Sequence, residues 1–215
     1  LDCYRNSRHK LGTGKLMKTI DFTPKEMEQY IMRFDELVPN KDKTSGKIPS
    51  EAREMMTARA TKTVIADPNA KNTPWSVEGD GGPIPGPENF VVVMAECEAG
   101  NGPGLHVHQR STETFTCIKG RFRVEWGDDG QHSVDLNLFD TISVPPGVMR
   151  RFENTSDETG LLYVILQGNE NKLRDVEFAP SLGEEIRAKF GDAVVNELQK
   201  LGYDFTAGIE DNFTT

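Results

Sequence analysis

The sequence predicts a mainly β fold, an antiparallel sandwich or barrel with helical extensions at both ends. Three observations point there. Between Asn89 and Gln167, apolar residues recur with a period of two, in short runs separated by Gly, Pro and Asp turns. On either side of that block the spacing becomes helical and capping signals appear. The length, 215 residues, is long for one small domain and short for two, which fits one core with additions. The expected division is a leader over 1–16, a helical N-terminal extension with a Gly/Pro-rich arm over 17–88, the β-barrel over 89–168, and a helical C-terminal extension over 169–215. The leader is read as upstream or flexible because Leu1 is not an initiator and Met17-Lys-Thr-Ile opens a more regular pattern; His9 and Cys3 therefore carry little weight.

Taken in order, Thr23-Pro-Lys-Glu26 starts a helix, with Thr23 and Glu26 as a capping box and Pro24 at the first helical position. Met27, Tyr30, Ile31, Phe34, Leu37 and Val38 follow at helical spacing, and Pro39 ends the run. Ser50 is expected to cap a second, shorter helix through Met56. Both helices read as a cover over something larger. Residues 61–88 read as irregular, and Gly79 to Pro87 as a loop, lid or intersubunit arm. Strands are expected at Phe90–Glu98, Glu113–Ile118 and Arg121–Trp126. After a turn at Gly127-Asp-Asp-Gly130, a return strand should place His132, Val134, Leu136 and Leu138 on one face. Asp140–Val144, Arg150–Glu153 and Leu161–Gln167 complete the series. A second capping box, Ser181-Leu-Gly-Glu184, should open helices over about Leu182–Phe190 and Ala193–Leu201, broken at Gly191-Asp192.

Composition excludes several classes. The net charge of −9 argues against nucleic acid, which needs a basic face, and against anionic membrane surfaces. No run reaches the roughly 18 apolar residues of a bilayer span. Three cysteines, Cys3, Cys97 and Cys117, are too few and of the wrong parity for a disulfide framework, which points to a reducing cytoplasm.

The chemistry concentrates in Gly100-Asn-Gly-Pro-Gly-Leu-His106-Val-His108, with Glu113 five residues on. Residues i and i+2 of a strand share a face, so His106 and His108 can reach one point, and a carboxylate on a neighbouring strand can complete three corners of a metal site. Two imidazoles and a carboxylate with open positions suit a divalent first-row metal, Fe(II) foremost, with Mn, Ni, Cu or Zn as alternatives. Cys117 shares parity with Glu113 and is read, like Cys97, as a small core residue. His132 is read as a hairpin histidine. Phe115, Phe122, Trp126, Phe139 and Phe152 are candidate aromatic walls whose default role is packing.

The spacing Gly100-x5-His106-x-His108-x4-Glu113-x6-Gly120 resembles the first motif of the cupin superfamily at every fixed position. Pro145, Gly147 and Asn154 match the second motif, over a resemblance that spans residues 89–167. It implies a cupin jelly-roll barrel with a metal in its mouth, a homodimer, and chemistry similar to the quercetin or diketone dioxygenase type. Two positions depart: Phe139 stands where a glycine is usual, and Arg150 where a fourth ligand histidine is usual. Arg150 cannot ligate. If the family register holds, it points into the barrel and Arg151 points out. There it could pair with Glu113, pair with Asp140, or hold an anionic substrate beside the metal, the last ranked first. A one-residue shift would put it at the rim instead.

The functional expectation is a metal-dependent dioxygenase. It would act on a small enolisable, aromatic or anionic organic substrate, with dioxygen as co-substrate. Its ligands would be His106, His108 and Glu113, and its catalytic groups Arg150 and Glu113. A non-redox isomerase, lyase or decarboxylase, and a metal-free ligand-binding protein, are the alternatives.

Overall fold

A computed structural model of the chain describes residues 19–40, 46–67, 84–168 and 175–209. The expected leader over 1–16, and the Gly/Pro-rich arm up to residue 83, lie outside the described residues. Eleven strands occur among the described residues: β1 (Ala60–Ala66), β2 (Ile84–Pro85), β3 (Phe90–Cys97), β4 (His106–His108), β5 (Thr112–Lys119), β6 (Phe122–Trp126), β7 (His132–Leu136), β8 (Thr141–Val144), β9 (Arg150–Asn154), β10 (Gly160–Gln167) and β11 (Val176–Phe178). They form two sheets, in the orders β2-β1-β3-β10-β5-β8 and β11-β4-β9-β6-β7. Every pairing is antiparallel except β1 with β2.

The period of two explains the core. Alternate residues of each strand turn inward, so Val91, Val93, Ala95 and Cys97 of β3 meet Phe115 and Cys117 of β5 and Leu162, Val164 and Leu166 of β10. The facing sheet supplies Phe122, Val124, Leu136 and Phe152. Phe152 holds this interior together through edge-on contacts with Phe115, at 5.1 Å between ring centroids, and with Phe122, at 6.2 Å. Both inner cysteines are core residues. Burial, with Glu96 nearby, pushes the Cys97 thiol up to about 12, and burial raises Cys117 as well.

Four helices flank the sheets: α1 (Pro24–Met27), α2 (Ser50–Glu54), α3 (Pro180–Phe190) and α4 (Asp192–Lys200). Thr23 and Glu26 form the expected capping box on α1. The long helix expected after it is broken. Two 3-10 turns, Glu28–Tyr30 and Phe34–Glu36, are separated by extended backbone at Ile31 and Arg33. The segment follows the outer face of the first sheet, where Met32 and Leu37 pack on Val64, Val92 and Met94. This contact overrides helical spacing, and it leaves Met27, Ile31, Phe34 and Val38 exposed.

Four further expectations are corrected. Residues 60–66, read as irregular from residue 61, form β1, because the β-branched run Thr63-Val64-Ile65 pairs along β3. Helix α3 begins at Pro180 with Ala179 as its N-cap, so Ser181 caps nothing; proline's fixed φ starts the helix early. Ser50 likewise opens α2 from within, after Pro49. On β7 only Leu136 is buried, because β7 is an edge strand paired with β6 alone; His132 lies exposed against Trp126, and Leu138 is exposed beyond the strand.

A second apolar cluster joins α2, α3, α4 and β11 through Ala52, Met56, Val176, Phe178, Leu182, Ile186, Val195 and Leu198. It meets the barrel through β11, which pairs with β4 and sets Phe178 beside His106.

Candidate metal centre

The site begins with a loop that only small residues permit. A Cβ on Gly102 would overlap the carbonyl oxygen of Phe152, so the Gly-Pro-Gly segment lies directly against β9. Gly104 N donates to Met55 O at 2.8 Å, which ties the loop to the end of α2. Strand β4 follows. Its central residue, Val107, packs outward with Met149, Ala179 and Ala207. His106 and His108, on the opposite face, are buried inside the barrel.

Glu113 arrives from β5, two residues before Phe115 on the same inward face. Its Oε2 lies 3.6 Å from Nε2 of His106 and 3.6 Å from Nε2 of His108. All three donor atoms lie within 4.8 Å of one another. Donors each about 2.1 Å from one ion at a tetrahedral angle are about 3.4 Å apart, so this spacing suits a single first-row metal. Among the described residues, Glu113 Oε2 has no hydrogen-bond partner, although it is buried. A buried carboxylate oxygen with nothing to accept is where a cation fits.

Each imidazole is fixed at its other nitrogen. His106 Nδ1 lies 2.8 Å from Gly104 O, and His108 Nδ1 lies 2.9 Å from Asp175 Oδ1. Asp175 also accepts from the backbone N–H groups of Arg110 and Ser111. Asp175 and Phe178, whose ring centroid is 5.6 Å from that of His106, are the site neighbours that sequence reasoning missed. Both come from beyond the motif block, and no local pattern marks them.

Arg150 keeps the expected register. It pairs with His106 across β4 and β9 and is 0% exposed, while Arg151 points outward to Glu125. Its Nη2 donates to Pro145 O at 3.0 Å, and its Nε lies 3.8 Å from Glu113 Oε2. Nε and Nη1 have no hydrogen-bond partner among the described residues. Asp140 instead accepts from the backbone N–H of Asn137. Of the three partners open to Arg150, the nearest acid is thus Glu113, and two donors stay open.

Charge and burial oppose each other here. Burial pushes the Glu113 carboxyl up, but His108, His106 and Arg150 outweigh it and hold the group at about 2. Burial lowers the pKa of His106 and favours its neutral, ligating form. Burial lowers Arg150 too, against the pull of Glu113 and Asp175; a guanidinium still remains charged. For Asp175, burial raises the pKa, but the bond to His108 and the two backbone donors prevail and keep it below the usual carboxylate range.

The second-motif positions have structural reasons. Asn154 is buried; its Nδ2 donates to Cys97 O and Glu158 O, and its Oδ1 accepts from Ser156. Phe139 has φ of 70°, a backbone that glycine adopts freely, and its side chain is 73% exposed. It is a turn residue and not the aromatic wall proposed for it. Among the described residues, no helix is long and apolar enough to cross a membrane.

The Cupin_2 (cupin domain) family model matches residues 93–166. Quercetin 2,3-dioxygenase of Bacillus subtilis (strain 168) is 33% identical over 79 residues, 37% of this chain and 23% of that enzyme. The chain therefore matches about a quarter of that relative's length. Among solved structures, the Cnp3 cupin domain of Schizosaccharomyces pombe is 15% identical with a TM-score of 0.38, over 51% of this chain and 65% of its own. KdgF from Halomonas sp. is 16% identical with a TM-score of 0.36, over 53% and 83%. Residues 93–166, which run from β3 to β10 of the two-sheet barrel and carry both motifs, match the cupin domain family.

Proposed function

We propose that the chain is a metal-dependent enzyme of the dioxygenase type. It would act on a small enolisable, aromatic or anionic organic molecule. The observation that carries this reading is the convergence of Nε2 of His106, Nε2 of His108 and Oε2 of Glu113 within 4.8 Å in a buried site. Fe(II) is favoured, with Mn, Ni, Cu or Zn as alternatives. When bound, such an ion supplies Lewis acidity and, if redox-active, one-electron chemistry toward dioxygen.

The protein groups have separate tasks. His106 and His108 present lone pairs from rings fixed at Nδ1. Arg150, anchored by Pro145 O, has Nε and Nη1 open to receive a carboxylate or enolate. Phe115, the next inward residue on β5, and Val144, across from Glu113 on β8, exclude water from the side of the core. Glu113 ligates, or accepts a proton from an enolisable carbon if it is displaced. The similarity to quercetin 2,3-dioxygenase of Bacillus subtilis supports the choice of quercetin-like substrates.

The 3.8 Å approach of Arg150 to Glu113 favours a second reading, a cupin that binds an anionic ligand without metal. Elemental analysis of the purified protein separates the two, followed by oxygen uptake with a flavonol and a β-diketone. Metal near one equivalent with substrate-dependent oxygen consumption supports the enzyme. Metal without oxygen uptake points to non-redox chemistry, and failure of the apo-protein to take up any divalent ion overturns the metal reading. The exposed Met27, Ile31, Phe34 and Val38 support a homodimer, which sedimentation equilibrium tests.

A further inference from the structure

We infer that Asp175 is a positioning residue that sets the tautomer of His108, so that the C-terminal extension completes the site built by the barrel. The inference rests on reading His106, His108 and Glu113 as metal ligands.

The argument is a count of donors. Asp175 Oδ2 accepts from the backbone N–H of Arg110 at 2.6 Å and of Ser111 at 2.7 Å. Both donors are fixed by the main chain, so whatever atom stands at that position must be an acceptor. Asp175 Oδ1 lies 2.9 Å from His108 Nδ1 and 3.2 Å from Ser111 Oγ. A carboxylate has no proton to give, so Nδ1 of His108 must carry the hydrogen. The lone pair of the neutral ring is then on Nε2, which faces Glu113 Oε2 at 3.6 Å.

His106 is set in the same way by a backbone carbonyl, Gly104 O, which no substitution removes. His108 depends on a side chain. That side chain sits at the start of β11, which pairs with β4 in the register Val176 to His108 and Phe178 to His106. On its other side, β4 meets β9 at one pair, His106 with Arg150. Strand β11 therefore holds both histidines in place, and Asp175 adds the proton that orients one of them.

The conservative variant makes the sharpest test. In Asp175→Asn the two backbone N–H groups still demand oxygen at the Oδ2 position. The amide NH2 must then face His108 Nδ1. A donor facing Nδ1 makes it the acceptor and transfers the hydrogen to Nε2, the nitrogen that should ligate. Asp175→Ala removes the constraint without reversing it.

Long-range 1H–15N spectra of the metal-free, 15N-labelled chain above pH 7.5 read the tautomer directly. Four histidines keep assignment simple, with His9→Gln and His132→Gln as aids. The expected result is His108 protonated at Nδ1 in the wild type, at Nε2 in Asp175→Asn, and mixed in Asp175→Ala. Zinc titration against a competing chelator should show an affinity loss of tenfold to a hundredfold for Asp175→Asn and a smaller loss for Asp175→Ala. A wild-type His108 protonated at Nε2 overturns the inference even if no variant folds. An unchanged tautomer in Asp175→Asn, or equal losses in the two variants, also overturns it. If the wild type binds no zinc but the tautomer still inverts in Asp175→Asn, the positioning role stands and the metal reading fails.

Discussion

Arg150 Nε lies 3.8 Å from Glu113 Oε2, and neither atom has a hydrogen-bond partner among the described residues. A buried pair at that distance gains some attraction but not the hydrogen bonds that offset desolvation. Such an arrangement makes physical sense if other groups take up the open valences: a cation on the carboxylate, and an anion on the guanidinium.

Arg150→Met tests this. In the metal-free protein the variant leaves Glu113 without its nearest cation and should lose about 3–5 kcal/mol in urea denaturation. Added zinc should then stabilise the variant more than the wild type. In the metal-loaded protein, metal content should hold while KM for an anionic substrate rises tenfold to a hundredfold, the loss of a charge-assisted bond of about 1.5–3 kcal/mol. An unchanged KM would place the substrate elsewhere.

Acid should destabilise the metal-free chain in two steps. The His106 pKa is lowered by burial, so the unfolded chain takes up a proton near the ordinary value of 6.5 while the folded one does not; stability is lost as pH falls below that value. The Glu113 carboxyl is held at about 2 against an ordinary 4.5, so its contribution is full above 4.5 and is lost as pH falls toward 2. Melting temperatures in a chelator should fall from pH 7 to pH 3. His106→Gln should flatten the upper part and Glu113→Gln the lower. A wild-type curve flat between pH 7 and pH 5 would contradict the assignment to His106.

Phe139→Gly should stabilise the chain by about 1 kcal/mol. The backbone at 139 has φ of 70°, which costs a residue with a Cβ roughly 1–2 kcal/mol, partly offset by glycine's greater freedom when unfolded. The exposed ring has little burial to lose. Chemical denaturation reads the change, and a clear loss would show that the ring is packed in solution.

Asn154→Ala should cost about 2–4 kcal/mol, since it strips Cys97 O and Glu158 O of their donor and Ser156 of its acceptor. Metal content, read by elemental analysis, should stay at the wild-type level, because Asn154 holds a turn and no donor of the site.

The barrel was legible because a strand's side chains alternate strictly, so inward residues such as Phe115, Val124 and Val164 declare themselves at a period of two. The same rule placed His106 with His108 on one face and Arg150 opposite Arg151, while the register of the family resemblance made Arg150 the inward one. The ends of the chain are less legible. The spacing from Met27 to Val38 is helical, yet contact with the first sheet breaks it at Ile31. Strand β1 lacks the strict alternation of a half-exposed strand, and the prolines and glycines further on mask its β-branched content.

The sequence by itself determined the strands of the barrel and the shared face of His106 and His108, because spacing within a strand is a local property of the backbone, and Glu113 joined them through the spacing of the cupin motif. Tertiary structure alone decided that Asp175 meets His108 across 67 positions, that Phe178 meets His106, and that Arg150 finds Glu113 and not Asp140. Those contacts depend on how β11 and β9 lie beside β4, and strand adjacency is set by the packing of the whole chain.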